Sequence, residues 1–165
     1  MAYSVKSTLP LLASALLGVP SLANSNSANL CGPENLTFEG WGEWEQITFK
    51  PVRSAGHSNN WVGIFVNDIA RETYLSAGTL YPDCAAIVKP IYRGADGQTV
   101  KKLTIMVKMP AGFDTENGNW WYGSSDPSGI KVVQKVRRSE CITCHEQAAD
   151  TDYLFSEDVL EAAKE

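Results

Sequence analysis

The sequence predicts a mainly β domain: an antiparallel sheet with short flanking helices, and a helix carrying the run CITCH near the C-terminus. Three observations predict it. From residue 44 to residue 138 the chain offers segments rich in aromatic and β-branched residues, each closed by a cluster of Gly, Asn, Asp or Pro. Helical patterns are brief and confined to 68–78 and to the stretch after Ser139. No internal repeat, charge block or long linker divides the chain.

The elements follow in order. WEQITFKP (44–51) and WVGIFVN (61–67) read as strands, with SAGHSNN between them as a loop. DIARETYLSAG (68–78) reads as a short helix. Asn67 or Asp68 caps it, Ile69, Tyr74 and Leu75 form its apolar side, and Gly78 stops it. CAAIVKPIY (84–92) is a strand that Pro90 breaks or demotes to an edge. TVKKLTIMVKMP (99–110) alternates as a strand with one buried face does. WWYGSSD and IKVVQKVR flank the turn PSG and read as a hairpin; SECITCHEQAAD and SEDVLEAAKE then read as helical.

At 165 residues, 44 % hydrophobic and 20 % charged, the chain suits one globular domain and is too short for two ordinary ones. A net charge of -5 without any basic run argues against nucleic acid as a partner. At the N-terminus, Lys6 precedes the apolar run LPLLASALLGVP, and small residues follow at Ser21 and Ala23. The run has the length of a signal-peptide core and is too short to span a bilayer. Residues 1–23 are therefore expected to be a signal peptide, 24–40 an N-terminal extension and 41–165 the domain. The mature protein is expected to be soluble and periplasmic.

Export changes how the cysteines are read. Cys31, Cys84, Cys141 and Cys144 would meet an oxidising compartment, where thiols are paired or used. CITCH (141–145) admits three chemistries: a covalently attached haem, part of a zinc site, or a redox dithiol. Zinc needs four ligands and CITCH supplies three at most; Cys31, Cys84 and His57 show no ligand-like spacing. A thioredoxin-type dithiol sits at a helix start after an early strand, and this one lies near the chain end. Haem needs only what is present: two thiols add across its vinyl groups and His145 ligates the iron. On a helix capped by Ser139, with Glu140 in the first turn, Cys141, Cys144 and His145 fall on one side. The remaining nitrogen of His145 is expected to donate to a backbone carbonyl. For the opposite iron face, His57, Met106 and Met109 are the available ligands, and an open site is the preferred reading.

These residues bring a family into view. GIFVNDIARETYL, YPDCAAIVKP, MVKMPAGFDTENGNWWYG and CITCHEQAADTDYLFS, in that order, resemble the successive motifs of the cytochrome P-460 family, which includes the cytochromes c′-beta. The resemblance runs from about Trp41 to about Asp158. CxxCH alone signals only haem; with ENGNWWY before it and DTDYLF after it, the signal is far more specific. The resemblance implies an antiparallel β homodimer with one haem c, bound through Cys141, Cys144 and His145 and open on its distal side. It implies one of two activities: oxidation of hydroxylamine, with or without nitric oxide, by a haem bonded to a lysine, or binding of nitric oxide or carbon monoxide without turnover. A redox partner in the periplasm would accompany the first.

Lys89 falls where the family's cross-linking lysine lies. By its own chemistry a lysine ending an apolar strand either snorkels its ammonium to water or, beside a haem edge, loses its proton and becomes a nucleophile. Cys84 stands where the family has glycine; Cys31 and Cys84 either form a disulfide or remain two buried thiols. Phe65 and Phe49 are the residues chosen to cover the distal haem face. Asp114 and Glu116, in the loop before the tryptophans, are the carboxylates within reach of it, and Tyr153 and Phe155 are expected to pack under the CITCH helix, with Asp150 or Asp152 capping the next turn.

Overall fold

The computed structural model describes residues 31–134 and 138–162. The expected signal peptide, residues 24–30 of the expected extension and the last residues of the expected hairpin lie outside them. Among the described residues no helix is long and apolar enough to cross a membrane.

The architecture is one antiparallel sheet with helices against one face. Its strands are β1 (Glu45–Gln46), β2 (Val52–Ser54), β3 (Asn60–Val62), β4 (Phe65–Val66), β5 (Ala86–Tyr92), β6 (Val100–Lys108), β7 (Trp120–Ser125) and β8 (Val132–Gln134). The order is β1-β4-β5-β6-β7-β8, and β3 joins β2 to β5 beside β4. The helices are α1 (Asp68–Leu75), α2 (Arg138–His145) and α3 (Ser156–Ala162), with a 3-10 stretch, Glu146–Thr151, between the last two.

Period-two alternation sorts the side chains of β6. Leu103, Ile105 and Val107 enter one core with Phe65, Val88, Trp121 and the N-terminal segment around Phe38. Met106 enters the other core with Ile64, Ile87, Trp120 and Tyr122, against α1 and the C-terminal elements. The same alternation decides which residues reach the site.

Several sequence expectations are corrected here. The strand expected over 44–51 ends at Gln46. Ile47 still donates to the Ile64 carbonyl, but Thr48 satisfies the Ile64 N–H with its hydroxyl instead of its backbone, and Phe49 swings into solvent. The strand expected over 61–67 is split at Gly63 and Ile64 into β3 and β4, and part of the expected loop before it is β2. Pro90 sits inside β5, which is central and unbroken. Its carbonyl accepts from Gly63 N–H, so the side lacking a donor faces the interruption between β3 and β4, where no ladder bond is lost. On α1 the buried residues are Ala70 and Tyr74, whereas Ile69 and Leu75 are exposed.

The cap of α1 does more than start a helix. Asn67 Oδ1 accepts from Ala70 N and from Ala86 N, each at 3.0 Å, and Nδ2 donates to the Cys84 carbonyl. One side chain thus starts α1 and joins it to the head of β5. At that head, Cys84 is bonded to Cys31, 53 residues away, tying the N-terminal segment to the sheet. The disulfide removes both cysteines from the alternative zinc set.

Candidate functional site

Register brings one row of side chains after another to the helix-covered face. Ile87, Met106 and Tyr122 align across β5, β6 and β7; Lys89 and Thr104 form the next row, and Ile91 and Lys102 the next. This face is one wall of a cavity of about 620 Å³. The opposite wall is α2 with Phe155 and Val159, and the 3-10 turn Ala55–His57 closes a side. Val62, Ile64, Ile87 and Ile91 make much of the lining apolar; Arg53, Lys102 and Glu140 supply charge.

Cys141, Cys144 and His145 all line this cavity. Their spacing on α2 places them together, since residues three and four apart on a helix are neighbours. Cys141 and Cys144 are outside any disulfide. His145 is buried, with its ring between Tyr122 and Phe155, each centroid 5.6 Å away. Its Nδ1 lies 2.7 Å from the Tyr153 carbonyl. A carbonyl only accepts, so Nδ1 carries the proton and Nε2 keeps the lone pair. Burial, then the positive charge of Lys89, push the imidazole down to about 4, against the opposing pull of the Tyr153 carbonyl. At neutral pH the ring is therefore uncharged and able to ligate a metal.

The motif calls for haem, and the residues fit it. Two thiols and one imidazole with a defined ligand nitrogen face one large, mostly apolar cavity. The approach of the Ala55–His57 turn supplies an independent sign. A Cβ placed on Gly56 would stand 3.4 Å from Cys144 Sγ, so any larger side chain there would enter the space beside the sulfur.

Lys89 lies on the same wall, in mid-strand. It is half-buried and lines the cavity, and burial lowers its ammonium to about 8, with Cys144 opposing.

Other expected residues are placed elsewhere. Phe49 is 91 % exposed, and Phe65 lies in the opposite core, ring to edge with Trp41 at 5.0 Å. Phe65 pairs with Val88, one residue out of step with Ile87 and Lys89, so alternation sends it away from the cavity. Met109 lies in that same far core, while Met106 and His57 line the cavity. Asp114 and Glu116 sit in the loop before β7 and are not part of the lining; Glu140 is. The I-K-I alternation of residues 87, 89 and 91 could have named the sheet wall from sequence, but Tyr122 and Gly56 carried no such signal.

The Asp152 side chain, expected to cap the next turn, is placed instead against the sheet. It forms a buried ion pair with Lys108, and both side chains are under a tenth exposed.

Two comparisons accompany this geometry. No curated protein matches the chain significantly. A family model described as Cytochrome P460 matches residues 38–156, a span holding every described strand and the whole of α2.

Proposed function

This chain belongs to the cytochrome P460 family, a family of c-type haem proteins, and on that premise we propose that it is an exported monohaem cytochrome whose open iron site binds or oxidises small nitrogen species such as hydroxylamine or nitric oxide. The observation that carries the reading is the convergence of Cys141, Cys144, His145 and Lys89 on a single cavity. Bound there, haem supplies an iron atom for ligand binding and for one-electron redox chemistry.

The chain's own residues do the rest. Cys141 and Cys144 tether the group covalently, so a small domain keeps it. His145 presents Nε2 while Tyr153 holds the proton on Nδ1. Val62, Ile64, Ile87 and Ile91 exclude water and favour small, weakly polar ligands. Lys89, held where its ammonium is disfavoured, offers an amine within reach of the same cavity. The protein works in the periplasm as a homodimer and exchanges electrons with a redox partner there.

Two observations favour a second reading, a gas-binding cytochrome of the c′-beta kind. Asp114 and Glu116 are off the cavity, so neither serves as the base that hydroxylamine oxidation needs, and the lining is largely apolar. An electron carrier would need Met106 or His57 as a sixth ligand.

Mass and optical spectra of the purified periplasmic protein test these readings. One covalent haem is expected; none would sink the proposal. In the ferrous protein, a Soret band far to the red that reverts to an ordinary c-type band in Lys89→Arg supports the cross-linked oxidase. An ordinary high-spin band unchanged by that substitution supports the gas binder, and a six-coordinate spectrum supports the carrier.

A further inference from the structure

We propose that Asp152, gripped by Lys108, is a positioning residue for His145: it locks the turn whose carbonyl fixes the protonation and orientation of the imidazole. The inference rests on the haem reading above.

The turn is an unusual one. Asp152 and Tyr153 are consecutive non-glycine residues with φ of 51° and 67°. Backbone of this kind persists only where surrounding contacts determine it. Here they do. Asp152 Oδ1 accepts from Lys108 Nζ and from Trp120 Nε1 at 3.3 Å; Oδ2 accepts from the same ammonium at 2.6 Å and from Tyr81 N–H at 2.8 Å. Lys108 Nζ also stands 5.2 Å from the centre of the Trp120 ring. Three separate segments, the end of β6, the start of β7 and the loop before β5, thus hold one carboxylate.

The consequence reaches His145 through the next residue. Tyr153 N–H donates to the Ala148 carbonyl at 2.7 Å, and the reversal of the chain turns the Tyr153 carbonyl back toward α2, 2.7 Å from His145 Nδ1. Asp152 does not touch the imidazole ring. Its grip on the sheet sets where the acceptor of the ring proton stands. A buried ion pair is weak evidence for stability alone, because desolvation offsets much of its attraction. Its place beside a left-handed turn that aims a functional carbonyl gives it a different purpose. A well-placed acceptor raises the basicity of a ligating imidazole. That strengthens the bond from iron to histidine and favours the ferric state.

The test is Asp152→Asn combined with Lys108→Met, which removes both charges together and leaves neither buried alone. It is read in the haem-loaded protein by the iron–histidine stretching frequency of the ferrous form and by the reduction potential. The expected result is a lower frequency and a more positive potential, with haem still attached. Trp120→Phe deletes one donor to Asp152 without touching a charge, and should move both readouts the same way by less. Should the double variant fail to fold, Trp120→Phe decides the matter. A fall in thermal stability with frequency and potential unmoved would overturn the inference and leave a purely structural ion pair. Wild-type protein lacking haem would instead overturn the reading beneath it, so the two failures are distinct.

Discussion

Replacing both cysteines of the Cys31–Cys84 bridge isolates what that bridge contributes. The bridge closes a loop of 53 residues. In the chain-entropy model a loop of that size constrains the unfolded chain by about 4 kcal/mol. For a domain of this length, that lowers the melting temperature by roughly 10 °C. A second effect sits at Cys84, whose φ of 67° lies in the left-handed region. Alanine there keeps the strain that glycine would relieve, by about 1 kcal/mol. Cys31→Ala with Cys84→Ala should therefore cost about 4 kcal/mol. Cys31→Ala with Cys84→Gly should recover about 1 kcal/mol of it, although glycine is the more flexible residue. Urea unfolding followed by tryptophan fluorescence reads both differences, and wild type with reductant should approach the alanine pair. Two outcomes would refute the reasoning. A loss under about 1 kcal/mol would mean that the bridge constrains little or is not formed. Equal stability of the alanine and glycine variants would mean that residue 84 is not held left-handed.

The remaining predictions are briefer. Lys89→Met should stabilise the haem-free protein near pH 7, because below about 8 both folded and unfolded states hold the proton and the burial cost is fully present. Wild type should regain that deficit as pH rises from about 8 to the ordinary lysine value of 10.5, where only the unfolded state still binds the proton. The shift implies up to about 3 kcal/mol, which water in the cavity reduces to about 1–2 kcal/mol; denaturant titrations at pH 7 and pH 10.5 that show the same gap would contradict it. Asn67→Ala removes two acceptor contacts and one donor contact and should cost about 2–3 kcal/mol, measured by thermal unfolding, with the haem spectrum unchanged. Gly56→Val should cut haem attachment severalfold in a periplasmic haem stain while Gly56→Ala is tolerated, because only the larger side chain enters the space beside Cys144.

Sequence reasoning reached as far as local chemistry extends. Strand β6 was legible because its alternation records the two cores directly, and α2 because CITCH states its own geometry. The start of α1 was legible from Asn67 and its buried side only at Tyr74: Ala70 is small enough to be pressed to the sheet, which leaves Ile69 and Leu75 exposed. Pro90 misled because the rule against central prolines is about a missing donor, and whether that donor is missed depends on a break in a neighbouring strand. Aromatic character alone marks Phe65 and Phe49 in the sequence, whereas the face of each is set by register with Val88 and by the swing of the chain after Thr48. The Lys108–Asp152 pair had no local signature at all, since its members stand 44 residues apart and meet only when the last turn docks on the sheet.

That last contact has a meaning in time. Every described strand of the sheet is drawn from residues 45–134, and the segment that bears Cys141, Cys144 and His145 follows all of them in the chain. In chain order, the strands that form one wall of the cavity precede the thiols that the haem reading assigns to attachment. Docking of α2 would then bring the group tethered on that reading to a wall made earlier in the chain, where the Asp152 turn meets Lys108. On the haem reading, attachment at Cys141 and Cys144 could precede closure of the cavity, because the motif follows every described strand.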